Sequence, residues 1–181
     1  AGLAMGMIIF VIASGLTLIF GLMDVLNFGH GVFIALGAYV AASVLGVMGD
    51  WTGSQALWRN LLAVLPAMLV AMLVAGAVGL AFERFIVRPV YGMHLKQILI
   101  TMGGMIIGEE LIKVIWGPLQ IALPLPEGLR GSLLFGEASI EKFRLVAVCV
   151  GALVFVALVW ALNRTKIGLL IRAGVQDREM V

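Results

Sequence analysis

The chain is 181 residues long, 62% hydrophobic and only 12% charged, with a net charge of +2 and a mean hydropathy of +1.14. A soluble domain carries about 45–50% apolar and about 25% charged residues, so an ordinary soluble domain is excluded. A nucleic-acid surface would need a clustered basic face in a soluble context, and that is excluded too.

Four uncharged runs, Ala1 to Met23, Gly31 to Gly49, Asn60 to Phe82 and Leu145 to Asn163, have about the 17–25 residues that a helix needs to cross hydrocarbon. The first lacks a basic leader and flows directly into the second, so it reads as a span, not a cleaved signal. Its small residues Gly2, Gly6, Ser14 and Gly15 would let neighbouring helices approach. Between the first two runs lies Asp24 to Tyr39, DVLNFGHGVFIALGAY, the stretch around which the chain is organised. Asp24, Asn27 and His30 fall in a turn at or inside the membrane surface, where polar groups face protein, a water-filled path or a solute. Gly29 and Gly31 flank His30 and suggest a broken or tightly turned element. In the competing structural reading, Asn27 caps the second helix and His30 is a packed neutral ring.

The second segment, about Gly31 to Met48, places Tyr39 and Ser43 on one helical face and Gly37 with Ala41 on another. Gly49 to Asn60 reads as a short polar loop with interfacial Trp51 and Trp58. The third segment, about Asn60 to Phe82, has Pro66 just inside its start, and Glu83, Arg84, Arg88, Pro89, His94 and Lys96 form a basic loop after it. The fourth, Gln97 to Trp116, is unusual because Glu109, Glu110 and Lys113 fall within it. Helical spacing brings Lys113 to both carboxylates, either as an interfacial ion pair with a snorkelling lysine or as the mouth of a polar path. Gly103, Gly104 and Gly108 resemble helix-contact motifs. Leu119 to Arg144 reads as an external loop in which LPLP and SLLFG are candidate extended pieces, and Leu145 to Asn163 is the fifth span. The final RTKIGLLIRAGVQDREMV is an amphipathic helix outside the bilayer. The chain has no initiator Met and stops in this charged stretch, which reads as a piece of a longer protein.

The fold expected is therefore all-α, a polytopic transmembrane bundle of about five spans. Residues 1–163 form the membrane core and 164–181 a cytoplasmic segment. Placing the Glu83 to Lys96 loop and the C-terminal piece inside puts seven of the twelve Lys and Arg residues there and four in outer loops, with Lys113 in a span. There is no phosphate loop, HExxH, GxSxG or paired Cys/His spacing. No enzyme, cofactor or metal site is expected, and the lone Cys149 makes no intramolecular disulfide.

The stretch SGLTLIFGLMDVLNFGHGVFIALGAYVA resembles the membrane subunits of bacterial ABC importers for branched-chain amino acids, which carry GLTLIYG, NFAHG and LGAY in this order. ERFIVRPVYG with LITMGGMIIGEELIKVIWGP, and then RTKIGLLIRAGVQDREMV, are similar to later blocks of that family in order and spacing. Gly29 stands where Ala is usual, Val32 where Glu is frequent, and Glu109 with Glu110 at commonly uncharged positions. The resemblance implies the permease of an ATP-driven importer in a bacterial inner membrane, working by alternating access. It implies a second permease, ATP-binding subunits and a periplasmic solute-binding protein as partners, besides membrane lipid. On this reading Asp24, Asn27, His30 and Tyr39 line the path, and Gly168, Arg172, Asp177 and Arg178 belong to a helix that couples to the ATPase, with an interfacial helix on anionic lipid as the competing reading. Urea and amides are alternative solutes within it. An ion-coupled carrier or channel using Glu109, Glu110 and Lys113 is the rival from another class.

Overall fold

The computed structural model describes residues 2–23, 27–119, 121, 125–135, 138–166 and 168–169. Six α-helices and one hairpin account for most of them. They are α1 (Gly2–Met23), α2 (His30–Val47), the short α3 (Gly49–Thr52), α4 (Leu57–Phe82), α5 (His94–Trp116), β1 (Ser132–Phe135), β2 (Ala138–Glu141) and α6 (Lys142–Arg164). The helical bundle expected from the apolar runs is what forms. Among the described residues, four helical stretches are long and apolar enough to cross a membrane: Gly2–Gly21, His30–Val47, Leu57–Val90 and Lys142–Arg164. The expected fourth span is also a helix, of 23 residues in α5. Its length of about 35 Å is sufficient, but Lys96, Glu109, Glu110 and Lys113 set it apart from the others.

The chain divides into two compact units, residues 1–24 with 131–181 and residues 25–130. In the first, α1 and α6 run parallel, because Phe10 meets Phe155 edge-on at 5.6 Å and Met7 lies against Gly151. The close approach comes from α6: a Cβ on Gly151 would sit 2.7 Å from the Met7 Cβ, whereas Gly2 and Gly6 have open space around them. Antiparallel β1 and β2 pair Ser132 with Glu141 and Phe135 with Ala138, so the SLLF piece is extended as expected.

In the second unit α4 runs antiparallel to α2. Leu45, Ala63 and Ala67 form its buried core, and a Cβ on Gly37 would meet the Ala75 Cβ at ordinary van der Waals distance. Three expectations are corrected here. The Gly49 to Asn60 stretch is not simply a loop, since α3 occupies part of it and α4 begins at Leu57. Pro66 consequently lies in the helix interior, not in the first turn. The basic loop after Phe82 is instead a continuation of the helix: Glu83–Val87 is a π-turn, closed by the Arg88 N–H donating to the Glu83 carbonyl, and Arg88–Val90 is a 3₁₀ turn. Pro89 supplies a reason. It has no N–H, and its ring crowds the carbonyl four residues back, so an α-turn there would be strained while a wider turn is not. The true reversal is short, at Tyr91–Met93 with Gly92 at φ 78°. At its other end α5 stops at Gly117, whose φ of 91° and N–H to the Lys113 carbonyl (2.8 Å) close the helix before Pro118.

Candidate functional site

In the second unit a groove of about 330 Å³ lies between α2, α4 with its π-turn, and α5. Its walls include Val32, Phe33, Leu36, Phe82, Ile107 and Ile112, and every side chain that lines it is apolar. This is the small end of the range for ligand sites, about 300–1,000 Å³. Phe33 and Phe82 meet edge-to-face at 5.5 Å. Glycines set how near α5 comes: a Cβ on Gly104 would run into the Phe82 ring, and one on Gly108 into the Val32 side chain. Thus two of the three glycines read as contact motifs act as such, while Gly103 faces open space.

A polar cluster lies just beyond the Gly29 end of this apolar lining. Gly29 lines the groove, and the turn before α2 is held by Asn27, whose Oδ1 accepts from the Gly29 N–H (3.0 Å) while its carbonyl accepts from the His30 N–H (3.3 Å). The Asn27 side chain therefore makes an Asx turn that starts α2. The neighbouring Phe28 N–H donates to Thr101 Oγ1 (3.4 Å), and Thr101 donates to the Gln97 carbonyl (2.8 Å). Gln97 and Thr101 are fully buried and lie on the same face of α5 as Gly104 and Gly108, at helical spacing. The Gln97 Nε2 donates to the Val90 carbonyl (3.1 Å), but its buried Oε1 has no hydrogen-bond partner among the described residues. Neither residue was singled out from the sequence. The available signal was two polar residues four apart, in phase with a glycine pair.

The other end is aromatic. Tyr39 and Trp116 stack at 5.4 Å, and the Trp116 indole N–H donates to Ser43 Oγ (2.7 Å), whose hydroxyl donates to the Tyr39 carbonyl. Since Phe28 meets Thr101 and Ser43 meets Trp116, α2 and α5 run parallel. The structure brings Asn27 and His30 together at the polar end but places Tyr39 with Trp116, about two and a half helical turns further along α2. Asp24 lies outside the described residues, as do Arg172, Asp177 and Arg178. Gly168 is described and buried: a Cβ there would collide with the Leu162 carbonyl, and its N–H donates to Thr165 Oγ1 (3.2 Å).

Beyond the membrane-length stretch, Tyr91 donates a short hydrogen bond to Glu83 across the π-turn. Burial first, and then this bond, push the phenol up to about 12. Among the described residues no cluster of His, Cys, Asp or Glu could hold a metal ion.

The family model described as "Branched-chain amino acid transport system / permease component" matches residues 1–181. The chain is 29% identical over 188 positions to the high-affinity branched-chain amino acid transport system permease protein BraD of Pseudomonas aeruginosa. It is 28% identical over 183 positions to LivH of Salmonella typhimurium and 29% over 188 to LivH of Escherichia coli, permease proteins of the same description. These alignments cover 99% of the chain but 58% of each relative, so the chain spans a little over half the length of the curated relatives it matches. No solved structure matches it.

Proposed function

The chain belongs to the branched-chain amino acid transport permease family, and from that premise we propose that it forms part of the translocation subunit of an ATP-driven importer for branched-chain or related amino acids. The observation that carries this is the family match along all 181 residues. It is a multi-pass membrane protein, and we place it in a bacterial inner membrane. ATP is hydrolysed by partner subunits, solute arrives on a periplasmic binding protein, and a second permease completes the path.

The groove supports the solute class. An aliphatic side chain placed between Val32, Phe33, Phe82 and Ile112 loses apolar surface to water and meets no polar group that it would leave unpaired. A carboxylate at the Gly29 end would lie at the N-terminus of α2, where the helix dipole favours negative charge. In this reading Asp24 or Asn27 meets the ammonium group, His30 borders the polar end and Tyr39 gates the aromatic end. Gly168, Arg172, Asp177 and Arg178 belong to the segment that couples to the ATPase, and the tight packing of Gly168 on Leu162 supports a fixed exit from α6.

The test is uptake of radiolabelled leucine and urea into sealed proteoliposomes holding the full-length protein with its neighbouring subunits, with and without internal ATP. Leucine uptake that needs both ATP and the binding protein is expected. Urea uptake alone would replace the solute, and uptake driven by an ion gradient without ATP would overturn the importer reading. Reversing charge at Arg172 and Arg178 should abolish ATP-driven uptake while insertion, read by membrane fractionation, is unchanged.

A further inference from the structure

The chain leaves α5 at Gly117, beside the aromatic end of the groove, and comes back onto the same unit at Pro126. Pro126, Gly128 and Leu129 are buried there, and Glu127–Leu129 forms a single 3₁₀ turn. Its seat is the start of α4. Asn60 is fully buried under it, and a Cβ on Gly128 would come 2.3 Å from the Asn60 Nδ2 and 3.4 Å from the Gln55 carbonyl oxygen. The Asn60 amide donates to the Ser54 carbonyl (3.0 Å), while its buried Oδ1 has no hydrogen-bond partner among the described residues.

Two features separate this contact from permanent packing. The turn is self-contained: the Leu129 N–H donates to the Pro126 carbonyl (2.9 Å), and Arg130 donates from its N–H to the Glu127 carbonyl (3.1 Å) and from its guanidinium to the Glu127 carboxylate (2.7 Å). Among the described residues none of its hydrogen bonds reaches α4, so it can leave the seat as a unit without breaking one. The second feature is the orphan Asn60 oxygen. Burying an amide oxygen without a partner is costly, and lifting the turn lets water reach it; this opposes the burial of Leu129 that holds the turn down. Water is within reach, because the 34-residue stretch Leu57–Val90 is about 50 Å long against a hydrocarbon core of about 30 Å. Exposed Trp51 and Trp58 mark its Asn60 end as the one in the headgroup region.

We propose that this turn is a latch on the aromatic end of the groove, seated on Asn60 while Tyr39 and Trp116 close that end and lifted when solute passes them. Its position fits that role. Helices α2 and α4 are antiparallel with Gly37 facing Ala75, and Asn60 lies about 22 Å further along α4 than Ala75, on the aromatic side. A turn anchored there stands beyond the axial way out of the groove, and the chain ties it to Trp116. The inference rests on the reading that a solute moves through the groove and is independent of which solute it is and of what drives it.

A reversible lock tests this in the full-length protein reconstituted with its partner subunits, with Cys149 and any cysteine outside these residues replaced by Ala. Asn60→Cys with Gly128→Cys puts two thiols within disulfide reach, since the Asn60 Cγ lies 3.5 Å from the Cβ position of Gly128 and the amide nitrogen that obstructs that position is removed. Mild oxidation should cross-link most molecules and cut leucine uptake roughly tenfold or more relative to the same sample reduced, because only the lifted state is competent. Dithiothreitol should restore it. Leu36→Cys in the groove wall reads the latch without transport. A membrane-impermeant maleimide added from the Asn60 side should label it roughly tenfold more slowly in the locked protein than in a chain carrying Leu36→Cys alone. No cross-link, full uptake by the cross-linked protein, or equal labelling at Leu36→Cys would each overturn the latch. Uptake that ignores ATP would overturn the importer reading and leave the latch to be judged by the labelling, so the two failures are distinguishable.

Discussion

The two ends of the α2–α4–α5 groove are closed by different physics. At one end, buried Thr101, itself bonded to the Gln97 carbonyl, receives the turn that begins α2; at the other, Tyr39, Ser43 and Trp116 meet in a partly exposed aromatic contact. A buried donor or acceptor that loses its partner costs its full desolvation, whereas an exposed one can turn to water or headgroups. The polar end should therefore fix register between α2 and α5. The aromatic end, built of ring stacking and an indole typical of an interface, should tolerate change.

Several substitutions would break or sharpen this contrast. The largest effect is expected between the ends, where the helices come closest. Gly108→Leu would overpack Val32 and cost about 1–3 kcal/mol, read as a fall in unfolding temperature in detergent. Gly103→Leu, into open space, is the control and should be near neutral. At the polar end, Thr101→Val keeps the shape but leaves the Phe28 N–H without its acceptor. It should cost about 1–3 kcal/mol, and Thr101→Ser should recover most of that. At the aromatic end, Ser43→Ala removes the acceptor of the indole N–H and an exposed bond to the Tyr39 carbonyl, and should cost about 0.5–1.5 kcal/mol. If it matched Thr101→Val, the asymmetry would be wrong. Gln97→Leu removes one hydrogen bond together with a buried oxygen that has none, so the two changes offset to within about 1 kcal/mol. Loss of leucine uptake at unchanged stability would then move Gln97 into the solute path.

Smallest of all is the Tyr91–Glu83 contact, whose effect appears only in alkali. The phenol titrates at about 12 in the folded chain against an ordinary 10.0. The folded state thus holds the proton more tightly, and its stabilisation is complete below pH 10 and lost as pH rises from 10 to 12. The chain has two tyrosines, so Tyr91→Phe in a phenolate absorbance titration isolates this one. A Tyr91 signal that titrates at its ordinary value would remove the contact.

How legible all this was depends on what each feature needs from the sequence. The spans were readable because lipid demands long apolar runs, and the Asn27 turn because Asn and Gly mark turns whatever surrounds them. Gly104 and Gly108 were readable as small residues at contact spacing. Gln97 and Thr101 were not, since a polar residue in an apolar run says nothing about which neighbour will receive it until the facing helix is known. The turn after Phe82 was misread because charges suggest a loop. A π-turn shifts hydrogen bonds by one residue and leaves little compositional trace, and Pro89 was its only mark. The parting of Tyr39 from Asn27 and His30 was hidden for a related reason. They are near in sequence, but a helix separates them by about 1.5 Å for each intervening residue.

Two hydrogen bonds that tie α2 and the turn before it to α5, Phe28 to Thr101 and Ser43 to Trp116, join residues 73 apart in the chain. Helices α2 and α4 can pair as a hairpin as soon as both have been synthesised, but the wall that closes the groove follows later. At about 5–20 residues per second, the stretch from Phe82 to Trp116 takes on the order of a few seconds to appear. For that interval the nascent chain holds α2 with its Asn27 turn and Tyr39 before the helix that will receive them exists. The order of biosynthesis thus makes α5 the last wall of this groove to arrive, and chain release before Trp116 would leave α2 and α4 with an unfilled seat.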